Sequence, residues 1–281
     1  MKVSISLIQM SMCSDVDKNL KKAAVQIEKA ANHGANIVCL PELFTTTYFP
    51  QEHRKNTEHA EDIPGKTTDI LRQMASENKV IVVGGSIYEK ENEKCFNTVV
   101  VVDDNGTILG KYRKIHLPHD QNFYEQDYFS KGNLGFRVFR TKYGNLAPLI
   151  CYDQWYPEAA RIVSLMGADI IIYPTAIGYV DDIQQTEGDW KDAWTTVQRG
   201  HAIANSVVVA AVNRVGKEGK MQFWGGSFVT SQFGKILGKA GSSEEIINAT
   251  VDLELGKEVK EGWRFFYNRR PETYGRIVEK G

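Results

Sequence analysis

Strand-like apolar runs alternate with segments of helical periodicity over most of the chain. A strand is predicted over residues 3–10, and a helix follows over 17–34, where Leu20, Ala23 and Ile27 recur on one face and Gly34 ends the helix. Further strands are predicted at 37–40, 80–87, 98–103, 146–151, 169–173, 206–212 and 226–230, and further helices at 67–78, 158–166 and 190–205. This order predicts an α/β fold. No Pro/Gly/Ser-rich linker interrupts residues 1–281, so a single domain is predicted.

The segment 149–158 places Cys151 where an apolar strand ends and a helix begins. A tight turn of this kind exposes a nucleophilic side chain and leaves the following backbone N–H groups free to bind an oxyanion. A single cysteine near a turn is nevertheless more often a buried structural residue. The assignment of Cys151 as a nucleophile therefore depends on the residues that accompany it.

Two further segments place a carboxylate and an ammonium at similar turns. Glu42 follows the apolar run 37–40 within a P-E motif, and Lys114 ends a Y-R-K motif. A glutamate, a lysine and a cysteine in these motifs and in this order resemble the signature of the nitrilase superfamily of carbon–nitrogen hydrolases. The resemblance extends from about residue 2 to residue 270. It implies that Glu42, Lys114 and Cys151 are the catalytic residues.

The same residues account for amide hydrolysis in chemical terms. A thiol with an ordinary pKa of about 8.5 is mostly protonated at neutral pH and needs a base or a cation nearby. Glu42 can act as the base and later activate water, while Lys114 and a backbone N–H near Tyr152 can stabilise the oxyanion. The segment 122–129 resembles the family's loop that supports the lysine. Glu125 fits the supporting glutamate there, with a solvated loop acid as the alternative.

The resemblance also implies the architecture and the cofactor requirement. It implies a four-layer αββα sandwich that pairs across a helix face, so a homodimer or a higher homo-oligomer is expected. It implies a reaction that uses no metal and no organic cofactor.

The residues after the nucleophile indicate the charge of the substrate tail. Superfamily members that bind carboxylate tails usually carry an arginine soon after the nucleophile, where it can grip the carboxylate. Here the first arginine after Cys151 is Arg161, inside a predicted helix. The segment 178–194 instead holds five acids against one lysine, although charge runs on loops are commonly solvated faces. An ammonium at the far end of the substrate is therefore expected.

Segments 151–161 and 173–178 resemble most closely the branch of the superfamily that hydrolyses N-carbamoylputrescine. This resemblance implies a small carbamoylated amine as the substrate and Asp189 as the partner of its ammonium. The residues expected to contact the substrate are Tyr48, Tyr152, Gln154, Trp155 and Asp189. For Tyr48 and Trp155, core packing is an equally good interpretation. Another amidase or ureido hydrolase that accepts a neutral or cationic tail is the alternative function.

Composition and charge argue against several other classes of function. The formal net charge of -1 gives no general attraction to nucleic acid or to an anionic membrane. No run approaches the ~20 apolar residues of a membrane span, and the N-terminus lacks the apolar core of a signal peptide. The cysteines at 13, 39, 95 and 151 show no paired spacing, so a reducing cytoplasm is expected. Cys13, Cys39 and Cys95 are predicted to lie in or near the core.

Other chemistries have weaker support. His116 and His119 resemble two zinc ligands, but a proline between them interrupts any helix that could align them. His201 could pair with Cys151 as in papain, yet it lies within a predicted helix and is expected to be a buried structural histidine. The segment 106–112 lacks the spacing of a phosphate-binding loop. A catalytically silent binding module would have no use for a base, a cation and a thiol together.

Overall fold

The structure, a computed structural model, describes residues 1–53 and 57–279, so residues 54–56 and 280–281 of the predicted domain lie outside it. The helices are α1 (Val16–Asn32), α2 (Lys66–Asn78), α3 (Pro157–Leu165), α4 (Trp190–Asn205) and α5 (Leu253–Trp263). The strands are β1 (Lys2–Gln9), β2 (Ile37–Cys39), β3 (Ile81–Val83), β4 (Ile87–Glu91), β5 (Lys94–Val102), β6 (Ile108–Arg113), β7 (Phe139–Thr141), β8 (Gly144–Pro148), β9 (Ile170–Thr175), β10 (Gly178–Val180), β11 (Val208–Asn213), β12 (Val215–Glu218), β13 (Met221–Trp224), β14 (Phe228–Thr230), β15 (Ile236–Lys239) and β16 (Glu245–Asp252).

The strands form two large sheets and one small one. The first has the order β16-β1-β2-β3-β5-β4, with β6 paired to β5, and the second has the order β15-β14-β11-β9-β8-β7. In each, the central strands are parallel: β1, β2 and β3 in the first, and β8, β9 and β11 in the second. Parallel neighbours need crossovers, which α1 and α2 supply for the first sheet and α3 and α4 for the second. The small sheet has the order β10-β13-β12.

Side-chain alternation divides each sheet into two faces. Val3, Ile5 and Leu7 of β1 join a core that also contains Ile170 and Ile172 of β9, so the two large sheets pack face to face. On the opposite face of the first sheet, a second core contains side chains of α1 and α2. Side chains of α3 and α4 join the core beside the second sheet. The layers are therefore helix, sheet, sheet and helix, which confirms the predicted αββα fold.

A pair of glycines breaks the single strand predicted over residues 80–87, which is therefore wrong. The chain forms β3, turns at Gly84 and Gly85, and continues as β4. Gly85 has φ +55°, and a Cβ on it would lie 2.2 Å from the carbonyl oxygen of Pro41. Glycine is thus required where this turn passes the residue before Glu42. The close approach packs the turn directly against the loop that carries Glu42.

The prediction that three cysteines lie in or near the core holds for two of them. Cys39 and Cys95 are buried, whereas Cys13 is exposed. Cys13 lies beyond the end of β1, two residues before Asp15, which caps α1 by accepting a hydrogen bond from Lys18 N. The preceding Met12 is the residue that enters the core. Among the residues that the structure describes, no helix has the length and apolar character needed to cross a membrane.

Candidate active site

Three charged side chains from distant parts of the sequence meet in the interior. Glu42 lies three residues beyond the end of β2, Lys114 directly follows β6, and Glu125 begins a short 3-10 turn. The Lys114 ammonium lies 2.8 Å from Glu42 Oε1 and 2.8 and 2.7 Å from the two oxygens of Glu125. All three side chains are at most 1% exposed. The structure therefore brings these three predicted site residues into direct contact.

The two carboxylate oxygens of Glu42 have different surroundings. Oε1 accepts hydrogen bonds from Lys114 and, at 2.8 Å, from Asn97 Nδ2. Oε2 is buried and has no hydrogen-bond partner among the described residues. A buried carboxylate oxygen without a donor is unfavourable unless something else uses it. The free Oε2 is thus the atom of Glu42 that is available to accept a proton.

Cys151 occupies a strained position at the start of a 3-10 turn, Cys151–Trp155. Its φ of +42° lies in the left-handed region, which is uncommon for a residue with a side chain and often marks a functional site. Burial raises the pKa of the Cys151 thiol well above its usual value, Glu42 raises it further, and Lys114 lowers it. The electrostatic influence of Glu42 and Lys114 on Cys151 fits a common site. A thiol with a raised pKa is protonated at neutral pH, so a base must take its proton during attack.

The carboxylates also control the protonation of Lys114. Burial lowers the pKa of Lys114, but the charges of Glu125 and Glu42 outweigh this effect and hold the pKa above its usual value. Burial raises the pKa of Glu125 to about 7, against the lowering effect of the lysine. Lys114 is therefore a cation over the whole neutral range, while Glu125 titrates within it.

Sequence reasoning missed the side chains that hold the loop from Glu42 to Tyr48. Arg214 Nη2 donates to the Thr46 carbonyl at 2.6 Å and to Glu218 Oε1 at 2.9 Å, and Nη1 lies 3.5 Å from the carbonyl oxygen of Glu42. Glu218 Oε2 accepts from Tyr48 N at 2.6 Å. The Arg214–Glu218 ion pair is buried, with 0% of the Arg214 side chain and 4% of the Glu218 side chain exposed. Asn97 lies outside every predicted motif, and no role was predicted for Arg214.

A cavity of about 570 Å³ lies beside Cys151. Tyr152, Gln154 and Trp155 contribute to its lining, as expected for substrate contacts. Gln154 itself is fully buried, and its Oε1 accepts from Trp194 Nε1 at 2.8 Å. Tyr48 is not among the described residues that line this cavity. Its side chain is buried, and its hydroxyl donates to Glu125 Oε1 at 2.9 Å, so the structure places it behind the charged cluster.

The acidic segment contributes a different carboxylate from the expected one. Asp189 caps α4, accepting from Lys191 N at 2.8 Å and Asp192 N at 3.3 Å, and it is not among the described lining residues. Both hydrogen bonds use Oδ1 of the carboxylate, and the assignment of Asp189 as the ammonium partner stays a prediction. Glu187 lines the cavity instead, as does Asp120 from another loop. No Arg, Lys or His side chain is found among the described residues of the lining.

The histidines considered as alternatives have other partners. His116 Nδ1 lies 2.7 Å from Asp153 Oδ1, whereas His119 Nδ1 lies 3.8 Å from Asp127 Oδ1, so the two rings face different carboxylates. His201 Nε2 lies 2.8 Å from the backbone carbonyl oxygen of Gln154. Burial lowers the pKa of His201. A neutral histidine that donates to a backbone carbonyl is a structural residue rather than the base of a cysteine pair.

Comparisons with known proteins agree with this geometry. A family model described as "Carbon-nitrogen hydrolase" matches residues 4–261. The chain is 37% identical to an N-carbamoylputrescine amidase of Solanum lycopersicum, over 97% of this chain and 93% of the relative. It is 36% identical to a citrullinase of Francisella tularensis subsp. tularensis over 99% of both chains. A crystal structure of a carbon–nitrogen hydrolase from Helicobacter pylori G27 matches with a TM-score of 0.95 and 37% identity, covering 100% of this chain and 99% of that one.

Proposed function

The chain belongs to the carbon–nitrogen hydrolase family, and we propose that it hydrolyses N-carbamoylputrescine to putrescine, carbon dioxide and ammonia. The observation that carries this proposal is the lining of the cavity beside Cys151. It combines apolar side chains such as Trp155 and Ile177 with two carboxylates, Asp120 and Glu187. An apolar cavity with a few negative groups suits a short aliphatic chain that ends in an ammonium. The similarity to the Solanum enzyme supports the same substrate.

In the first half of the proposed reaction, the Cys151 sulfur attacks the carbamoyl carbon while Glu42 Oε2 takes the thiol proton. The carbonyl electron pair moves to oxygen, where Lys114 and the Tyr152 backbone N–H stabilise the anion. Tyr152 lies in the first turn of its 3-10 helix, where N–H groups have no partner within the helix. The carbon–nitrogen bond to putrescine then breaks, and Glu42 gives its proton to the departing nitrogen. A carbamoyl thioester remains on Cys151.

In the second half, Glu42 takes a proton from a water molecule whose oxygen attacks the thioester carbon. Lys114 stabilises the second oxyanion as it did the first. When the carbon–sulfur bond breaks, the proton on Glu42 returns to sulfur, and carbamic acid leaves. Carbamic acid decomposes to carbon dioxide and ammonia, so the products balance with one water consumed.

Replacement of the nucleophile tests the reaction. Cys151→Ala should reduce ammonia release from N-carbamoylputrescine by at least about 10⁴-fold, because no other group can form the thioester. Cys13→Ala is the matched control, since that thiol is exposed and lies outside the site, and it should keep full activity. Turnover retained in Cys151→Ala would contradict the proposal, provided that circular dichroism shows both variants folded.

A second experiment tests the charge of the tail. Glu187→Gln should lower kcat/KM for N-carbamoylputrescine by about threefold to tenfold, and high salt should reduce the difference, because this carboxylate is exposed to solvent. N-butylurea, which lacks the ammonium, should be hydrolysed equally by both proteins. Asp182→Asn is the control: this acid belongs to the same segment, is 83% exposed, and is not among the described lining residues. Equal losses for the two substrates would refute the role of Glu187.

Citrulline is the second candidate substrate, favoured by the similarity to the Francisella citrullinase. It carries a carboxylate as well as an ammonium on its tail, and the described lining holds no cationic side chain to bind a carboxylate. We therefore expect kcat/KM for N-carbamoylputrescine to exceed that for citrulline. The reverse order would assign the enzyme to citrulline instead.

We also propose that the chain forms a dimer through the helix layer of α3. Ile162 and Leu165 of this helix and Met166, which follows it, are 39%, 46% and 50% exposed, which is high for neighbouring large apolar side chains. Sedimentation should give at least twice the monomer mass, and Leu165→Glu should shift the distribution towards monomer. A wild-type monomer at micromolar concentration would refute this proposal.

A further inference from the structure

Asp153 is a buried carboxylate whose role the reaction described above does not explain. It is fully buried, and each of its two carboxylate oxygens accepts two hydrogen bonds. Oδ2 accepts from the Tyr112 hydroxyl at 2.7 Å and from Ile150 N at 2.9 Å. Oδ1 accepts from His116 N at 3.1 Å and lies 2.7 Å from His116 Nδ1. One side chain thus joins two separate segments of the chain.

The two segments carry the proposed nucleophile and the proposed oxyanion cation. Tyr112 and His116 lie two residues before and two residues after Lys114, and Ile150 directly precedes Cys151. Four hydrogen bonds to a charged acceptor in a dry interior form a strong and well-oriented connection. Asp153 therefore connects the backbone on both sides of Lys114 to the turn of Cys151.

This turn needs external support. Cys151 has φ +42°, and a strained conformation of this kind persists only when its surroundings hold it in place. Asp153 holds the residue immediately before the strain through Ile150 N. On the other side of the connection, the His116 ring stacks on Tyr156, with ring centroids 3.7 Å apart and planes 9° apart. His116 therefore has little freedom to leave its position.

We propose that Asp153 is a positioning residue that sets the placement of the Cys151 sulfur relative to the Lys114 ammonium. It does not contact the substrate, since it is not among the described residues that line the cavity. Misplacing a reacting group by about 1 Å can cost on the order of 100-fold in rate. The role rests on the proposed function, because it presumes that Cys151 and Lys114 act together.

Asp153→Asn is a sharp perturbation because both oxygens of the aspartate accept from a backbone N–H. An asparagine amide places its NH2 group against either Ile150 N or His116 N, whichever way it is turned. The NH2 group then faces a backbone N–H, which is also a donor. The turn that carries Cys151 and the segment that carries Lys114 must therefore move apart. The volume of the side chain stays the same, so packing changes little.

The first measurement uses no substrate. Iodoacetamide alkylates both Cys151 and the exposed Cys13, and mass spectrometry of the peptides gives the rate at each. In Asp153→Asn we expect the Cys151 rate at neutral pH to fall by about tenfold or more, because Glu42 and Lys114 no longer face the sulfur correctly. The Cys13 rate should be unchanged. An unchanged Cys151 rate overturns the proposal.

The second measurement is turnover of N-carbamoylputrescine per alkylatable Cys151. Asp153→Asn should lower kcat by about 100-fold while KM changes by less than about threefold, since the cavity is intact. Glu89→Gln is the matched control, because Glu89 is also a buried, hydrogen-bonded carboxylate but contacts Arg113 and Thr98 instead. It should keep both the alkylation rate and the per-site kcat within about threefold of wild type. Equal losses in the two variants overturn the proposal.

Tyr112→Phe provides a milder variant that keeps the proposal testable should Asp153→Asn fail to fold. It removes one of the four hydrogen bonds and leaves the charge, so both rates should fall by about threefold to tenfold. Wild-type rates in this variant overturn the proposal if Asp153→Asn is also unaffected or cannot be purified. If Cys151 of the wild-type protein is alkylated but the protein does not hydrolyse N-carbamoylputrescine, the proposed substrate is refuted. The role of Asp153 is then tested by the alkylation rate alone.

Discussion

Replacing Arg214 by methionine should destabilise the protein by about 3–5 kcal/mol, the usual cost of leaving one member of a buried ion pair unpaired. The exposed fractions of Arg214 and Glu218, 0% and 4%, leave the Glu218 carboxylate little access to water that could replace the guanidinium. The variant also removes the donor to the Thr46 carbonyl at 2.6 Å. Methionine replaces the aliphatic stem of the arginine but not its guanidinium group, so packing around the stem is largely kept.

A double mutant separates the cost of the unpaired Glu218 charge from the cost of the lost hydrogen bond to the Thr46 carbonyl. In Arg214→Met/Glu218→Gln the buried charge is gone, while an amide oxygen can still accept from Tyr48 N. The double variant should therefore be more stable than Arg214→Met alone by about 1–3 kcal/mol. Arg214→Lys, which keeps the charge but not the planar set of donors, should lie between wild type and Arg214→Met.

Urea unfolding at one fixed protein concentration measures these differences, because an oligomer's stability depends on concentration. The rate of ammonia release by folded Arg214→Met should also be lower than that of the wild type, since the guanidinium of Arg214 contacts the carbonyl oxygen of Glu42. A loss below about 1 kcal/mol in Arg214→Met would refute the reasoning. A double variant no more stable than the single one would refute it as well.

Three further predictions concern the charged cluster and its surroundings. The value of kcat/KM should rise with pH through about 7, because Glu125 must lose its proton to hold Lys114, and a rate independent of pH between 6 and 8 would argue against this. Tyr48→Phe should move this rise to higher pH, since the tyrosine hydrogen bond favours the ionised form and lowers the pKa of Glu125; a shift in the opposite direction would exclude the explanation. Gly85→Ala should cost about 2 kcal/mol or more in urea unfolding and reduce kcat, because the new Cβ meets the Pro41 carbonyl. Gly34→Ala, at φ +83° with no atom within 4 Å of the new Cβ, should cost less, and similar losses in the two variants would contradict the steric argument.

The fold was predictable where the hydrophobic period was strong and uninterrupted. The helix predicted over 190–205 has the bounds of α4. β6 was missed because Gly110, at φ +155°, interrupts its pattern. β16 was missed although Ile247, Ala249 and Val251 alternate as a half-buried strand should. Local patterns thus predicted the α/β order of the elements but not all of the sheet edges, and the four layers were implied by the family resemblance.

Site prediction depended on whether a residue's function was visible in its local sequence. Glu42, Lys114 and Cys151 follow strands in recognisable motifs, whereas Asn97 reaches Glu42 only because β5 passes beside the site. The place of Asp189 at the start of α4 was visible in the sequence. An aspartate directly before a predicted helix is a typical N-cap, and such a carboxylate is occupied by backbone N–H groups. The inward-facing acid could not be chosen from the sequence, because the segment has no regular period.

The unbonded Oε2 of Glu42 determines how the proposed reaction distributes charge in the buried interior. When the thiol proton crosses to that oxygen and sulfur attacks, one negative charge disappears from the carboxylate as another arises on the substrate oxygen, so the total within the protein stays constant. Creating a new ion there would be costly, whereas relocating an existing one towards a neighbouring ammonium is cheap. The enzyme can thus begin from an uncharged sulfur and still reach an anionic intermediate.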